Sequence, residues 1–109
     1  MREYAMEFIG AMFLVLVIAL TGNPFAIGIS LMAMVYMGGH ISGAHYNPAV
    51  TLAVWIRGRL KLNNIFGYMA SQVLGAFVAA YIAYILIGKP FVPSPGIGVA
   101  VWKSILVEI

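Results

Sequence analysis

The run Gly38-Gly39-His40-Ile41-Ser42-Gly43-Ala44-His45-Tyr46-Asn47-Pro48-Ala49-Val50-Thr51 lies between long apolar stretches, yet it is rich in residues that an ordinary membrane span avoids. Asn47 reads as the N-cap of a short helix, because its side-chain oxygen takes a free backbone donor and Pro48 needs no N–H at the first helical position. That helix runs from Pro48 to Trp55 or Ile56 and stops at Arg57-Gly58-Arg59. About ten residues rise only ~15 Å, half of a ~30 Å hydrocarbon core. Such a segment enters a bilayer without crossing it. The preceding glycines permit an extended, tight descent, and irregular backbone is tolerated at that depth only where it is buried in protein or lines a cavity. Residues 38–56 are therefore expected to form a re-entrant loop plus half-helix.

Around this element the chain reads as three spans, at about 4–22, 25–37 and 65–87. Each of the first two turns has its own chemistry. Thr21-Gly22-Asn23-Pro24 is a tight outer connection, and Arg57-Gly58-Arg59-Leu60-Lys61-Leu62-Asn63-Asn64 is the most polar stretch of all. Its basic residues, with Arg2, mark one side of the membrane, which the positive-inside rule makes the cytoplasm. The N-terminus is then inside, and the re-entrant loop enters from the cytoplasmic face. The segment 88–96, with three prolines, is a loop. From 97 to 109 a further apolar segment starts.

Composition agrees: 63% of residues are hydrophobic and only 8% charged, with a mean hydropathy of +1.01, where soluble domains carry about 25% charge. The six basic residues are scattered over span ends, which gives nucleic-acid binding no footing. There is no cysteine, so disulfides, thiolate metal sites and a cysteine nucleophile are excluded. His40 and His45, five residues apart with no loop carboxylate, make a poor metal site and are read as histidines that hold backbone groups. No nucleophile–base pair or phosphate-binding loop is present, so the chain is not read as an enzyme, and no cofactor is implied.

SGAHYNPAVT, within GGHISGAHYNPAVTLAV, resembles the first signature box of the major intrinsic proteins, the aquaporins and aquaglyceroporins. The resemblance implies an all-α membrane protein: one aquaporin-like repeat over residues 1–96, of three transmembrane helices plus a re-entrant half-helix, and the start of a fourth helix over 97–109. It gives Glu7, an ionisable group inside a span, a scaffold role, buried and bonded to the backbone of the re-entrant loop. It gives Gln72, in YMASQVLGA, a bracing role behind the half-helix. Ser42 and His40 are expected to support the loop as well. Glu108, in ILVEI, matches Glu7 in AMEFI and marks the opening of a second, inverted repeat.

The same resemblance implies a pore. Asn47, with Pro48 and Ala49, offers amide donors to a passing solute, and the half-helix presents the positive end of its dipole. The carbonyls of Gly43, Ala44 and His45 form an acceptor ladder, while Leu14, Leu31 and Val50 supply apolar wall. Ile27 falls at the outer constriction, where water and glycerol channels often carry an aromatic residue. The expected function is half of a passive channel for water or small neutral solutes such as glycerol. It is placed in the plasma (inner) membrane among lipid, as a tetramer by family resemblance or paired with a second half-repeat. The charge bias and the ending within a helix favour a fragment over inverted self-pairing. The alternative is a non-conducting truncated protein that associates with a full-length channel.

Overall fold

The computed structural model describes residues 1–92, 94 and 98–108, without the side chains of Ser104, Val107 and Glu108. The role expected of Glu108 therefore lies outside the described residues. Among those residues there are five helices and no strand: α1 (Arg2–Thr21), α2 (Pro24–Ser42), α3 (Pro48–Ile56), α4 (Leu62–Ile87) and α5 (Val101–Glu108). The first, second and fourth are long and apolar enough to cross a membrane. The third is the half-helix.

Local chemistry explains most of the helix ends. Asn23 Oδ1 accepts from the N–H groups of Phe25 and Ala26 at 2.9 and 3.2 Å, with Pro24 following it, so α2 starts on a side-chain cap. Asn47 repeats the device for α3, accepting from Ala49 N at 2.8 Å ahead of Pro48. Helices α1, α2 and α4 close on Gly22, Gly43 and Gly88, each left-handed, each returning its N–H to a carbonyl one turn back. Gly58 turns the chain after α3 in the same left-handed conformation, at φ 71°.

Helix α1 occupies the middle of the assembly. It packs against α2 on one side and α4 on the other, and α3 lies against α4. Close approach of α1 and α4 depends on Gly75: a Cβ there would run into the Phe8 carbonyl oxygen and lie 3.1 Å from Met12 N, both rigid backbone atoms. At the N-terminal ends the two helices meet again, where Tyr4 sits against Gly67 and its hydroxyl donates to Asn64 Oδ1 at 3.4 Å. The ring of Tyr4 is edge-on to that of Tyr68 at 5.8 Å.

The second span runs further than its hydropathy indicates. Expected to end at Met37, α2 continues through Gly38, Gly39, His40 and Ile41 to Ser42, and the irregular backbone shrinks to residues 43–47. Gly38 does not loosen the helix. Its missing side chain leaves a slot for the tip of Tyr46 and for Met6, and packing against that slot holds the turn helical. The fourth helix likewise starts earlier than expected, at Leu62, with Asn63 and Asn64 in its first turn.

In each span no more than 22% of the apolar window is buried within the chain. Phe25, Ile29, Met32 and Tyr36 on α2, and Phe66, Phe77 and Tyr81 on α4, stand exposed. In lipid this is an ordinary surface; in water it would aggregate.

Replacing Gly75 by Ala forces α1 and α4 apart and lowers stability by about 1–3 kcal/mol, the usual range for overpacking. Gly28→Ala, where nothing lies within 4 Å, serves as control and leaves stability unchanged or raised. Unfolding in detergent followed by circular dichroism measures both.

Candidate functional site

The re-entrant segment turns by left-handed backbone at three residues, and two of them are not glycine: Gly43 at φ 88°, Ala44 at 54° and Tyr46 at 54°. For a residue as bulky as Tyr46 that conformation is unfavourable and persists only where the surroundings impose it. They do so through one carboxylate. Glu7, 0% exposed on α1, accepts at Oε1 from Ser42 Oγ at 2.6 Å and His45 N at 3.0 Å. At Oε2 it accepts from Tyr46 N at 2.6 Å and Gln72 Nε2 at 2.8 Å. All four partners are donors, the complement of an ionised carboxyl that only accepts. The backbone N–H groups stranded by the turn are thus satisfied by a side chain from another helix.

The network continues into α3 and α4. The amide of Gln72, 1% exposed, also donates to Thr51 Oγ1 at 2.8 Å, and Thr51 Oγ1 lies 3.1 Å from His45 Nδ1. Tyr68 donates to the Ser42 carbonyl at 2.8 Å, and its ring packs on His45 with centroids 5.0 Å apart. Ser42 Oγ, besides donating to Glu7, accepts from Ala44 N at 3.1 Å. Tyr46 drives its ring into a slot beside Gly10 of α1 and Gly38 of α2, its hydroxyl donating to the Met34 carbonyl at 2.8 Å. Four helices are tied to one loop of five residues.

Asn47 stands at the open end. Its Oδ1 is committed to the Ala49 N–H, which leaves the Nδ2 donors without a partner among the described residues. Asn47 borders an open groove of about 770 Å3 lined also by Val15 and Ile18 of α1, by Val73, Ala76, Phe77 and Ala80 of α4, and by Phe91. The walls are apolar; Asn47 is the polar feature.

Of the residues expected at a pore, Asn47, Pro48, Ala49 and Gly43 are exposed and Ala44 half-buried, while His45 is buried. Val50 and Leu31 are also exposed, and Leu14 and Ile27 half-buried. None of Leu14, Ile27, Leu31 and Val50 borders the groove beside Asn47; Val15 and Ile18 take that place on α1. Glu7, Gln72 and Ser42 come together around the loop. His40 does not join them: it is exposed in the last turn of α2. Sequence reasoning did not single out Tyr46, Thr51 or Tyr68. The signal available for Thr51 was its place four residues after the N-cap on a helix too short to be stable alone.

The sequence profile of the Major intrinsic protein family matches residues 18–109. The chain belongs to this family. Among curated relatives it is similar to Aquaporin Z of Bradyrhizobium diazoefficiens, 39% identical over 101 residues covering 79% of this chain and 42% of that protein. Aquaporin Z of Photorhabdus laumondii is 41% identical over 69 residues, covering 63% of this chain and 30% of the relative. Aquaporin Z of Rhodopseudomonas palustris is 46% identical over 69 residues, covering 63% and 29%. This family member thus spans less than half the length of the curated relatives it matches.

Glu7→Gln turns one acceptor oxygen into a donor that faces donors. The variant is expected to lose about 3 kcal/mol of loop stability, read as hydrogen exchange at the His45 and Tyr46 amides about a hundredfold faster than in the parent.

Proposed function

We propose that this chain forms half the wall of a passive channel for water or small neutral solutes such as glycerol, without enzymatic chemistry of its own. The observation that carries the reading is the use of a fully buried carboxylate, on a membrane-spanning helix, to hold a five-residue turn that ends at Asn47 on the border of an apolar groove. A structural core gains nothing from such expense. A solute pathway does, because it needs a few fixed polar groups on an otherwise apolar wall.

In this reading Nδ2 of Asn47 donates to a passing solute, and the N-terminus of α3 adds the positive end of its dipole, which disfavours cations. The carbonyls of Gly43, Ala44 and His45 accept. Solute therefore exchanges hydration for hydrogen bonds along one stripe. Ile27, aliphatic on α2, narrows the outer end less than an aromatic residue would, which admits solutes wider than water. A second half-repeat, in the same polypeptide or in another, supplies the opposite wall, and tetramers form by analogy with the family.

Membrane placement follows from charge. Tyr4 of α1 meets Asn64 of α4, so Arg2 lies at the membrane face that also carries Arg57, Arg59 and Lys61. We place that face in the cytoplasm of the plasma (inner) membrane.

Stopped-flow light scattering on proteoliposomes tests the proposal with osmotic steps of sucrose and then glycerol. Where a second copy of this chain supplies the opposite wall, shrinkage is faster than in protein-free vesicles, and Asn47→Asp abolishes it. Aspartate caps a helix as well as asparagine does, so this variant changes the solute contact and spares the fold. Permeability equal to protein-free vesicles, with insertion verified, removes conduction by this chain alone. Co-purification with a full-length channel would then favour the non-conducting assembly partner.

A further inference from the structure

We infer that Thr51 selects the tautomer of His45 and thereby fixes an N–H donor, at Nε2, on the accessible edge of the re-entrant segment.

The direction of each hydrogen bond follows from the one before it. Glu7, with four donors around it, has nothing to give, so Gln72 must turn its NH2 group toward Oε2. The second hydrogen of that group goes to Thr51 Oγ1, because the same nitrogen lies 2.8 Å from both oxygens. Turning the amide over would set Oε1 against the carboxylate. As it stands, Gln72 Oε1 is the one buried side-chain nitrogen or oxygen without a partner among the described residues, so the arrangement tolerates an idle acceptor to keep its donors placed.

Thr51 is 0% exposed and its hydroxyl has a single hydrogen. Having accepted from Gln72, it has one recorded partner left to donate to, His45 Nδ1 at 3.1 Å. The Asn47 carbonyl one turn back receives the Thr51 backbone N–H at 3.0 Å, but the Thr51 hydroxyl forms no bond to it, unlike the hydroxyls of Thr21 and Ser71, which donate to the carbonyls one turn back in their helices. A proton on Nδ1 would make Oγ1 accept twice and leave the threonine hydrogen enclosed without an acceptor, an arrangement that folded proteins avoid. Nδ1 is therefore bare and the ring proton sits on Nε2.

Nε2 is not enclosed. His45 retains 8% exposure, and Nε2 is absent from the buried atoms that lack a partner although no bond to it is formed among the described residues. It lies beside Gly43, where a Cβ would approach it to 3.2 Å. Resting on the reading that this segment lines a solute pathway, the wall there presents one N–H donor beside the carbonyls of Gly43 and Ala44. Thr51 touches no solute; it is a positioning residue that acts through His45.

The test is 15N nuclear magnetic resonance of the full 109-residue chain, labelled in histidine and embedded in lipid bilayers at neutral pH. His40→Gln is introduced to leave His45 as the sole histidine; His40 is exposed and outside the network. The expected spectrum has the proton on Nε2 and an unprotonated Nδ1. Thr51→Ser keeps the hydroxyl and the spectrum, whereas Thr51→Val, equal in shape, removes the donor to Nδ1 and moves its 15N resonance toward that of an imine nitrogen without a hydrogen bond. A proton on Nδ1 in the parent, alone or together with one on Nε2, overturns the inference. So does a Thr51→Val spectrum identical to the parent's. If the valine variant does not fold, the Nδ1 resonance of the parent decides: the position of an imine nitrogen without a hydrogen bond overturns the inference. Because the tautomer is read without transport, failed permeability would remove the channel reading and leave this assignment standing.

Discussion

A carboxylate taken out of water into apolar surroundings costs several kcal/mol even after relaxation, and the cost is recovered only where its lone pairs meet donors of good geometry. Glu7 meets four, from α2, the loop and α4, at 2.6 to 3.0 Å. The same bonds solve a second problem, since the N–H groups of His45 and Tyr46 would be orphaned in a medium with no water to take them. Two costs cancel at one residue. The left-handed turn of the re-entrant segment, which carries the chain to Asn47, depends on that cancellation.

Around this centre the packing is arranged by absence. Gly10 and Gly38 leave the slot that the Tyr46 ring fills, and Gly75 lets the backbone of α1 approach α4. Without a hydrophobic force between helices in lipid, such close contacts and buried hydrogen bonds do the work that apolar burial does in water. The buried apolar side chains of the loop's own cluster are few: Met6, Met34 and Tyr46. The stability of the site is therefore mostly polar and steric, and single-atom changes in it carry large effects.

Much of the chain's apolar surface faces outward, and the groove beside Asn47 is open on one side. Both features fit a member of the Major intrinsic protein family that covers less than half the length of its aquaporin relatives. The half-helix begins beside the groove, at an N-cap residue whose Nδ2 donors have no partner among the described residues.

The half-helix was legible in the sequence because its limits are local: Asn47 and Pro48 start it, Arg57 and Gly58 stop it, and nine residues cannot cross a bilayer. Span number and composition were legible for the same reason. The extension of α2 to Ser42 was not, because Gly38 and Gly39 read locally as a break, and only the Tyr46 side chain shows that Gly38 is a slot. Nor does local propensity place Ala44 and Tyr46 in left-handed backbone. Tyr46, Thr51 and Tyr68 look like ordinary residues of an apolar segment, and their roles come from partners on other elements. The bonds from Ser42 and Gln72 to Glu7 join residues 35 and 65 positions apart. Caps, lengths and hydropathy are properties of neighbours in the chain, whereas the satisfaction of a buried polar group is a property of neighbours in space, which only the tertiary structure decides.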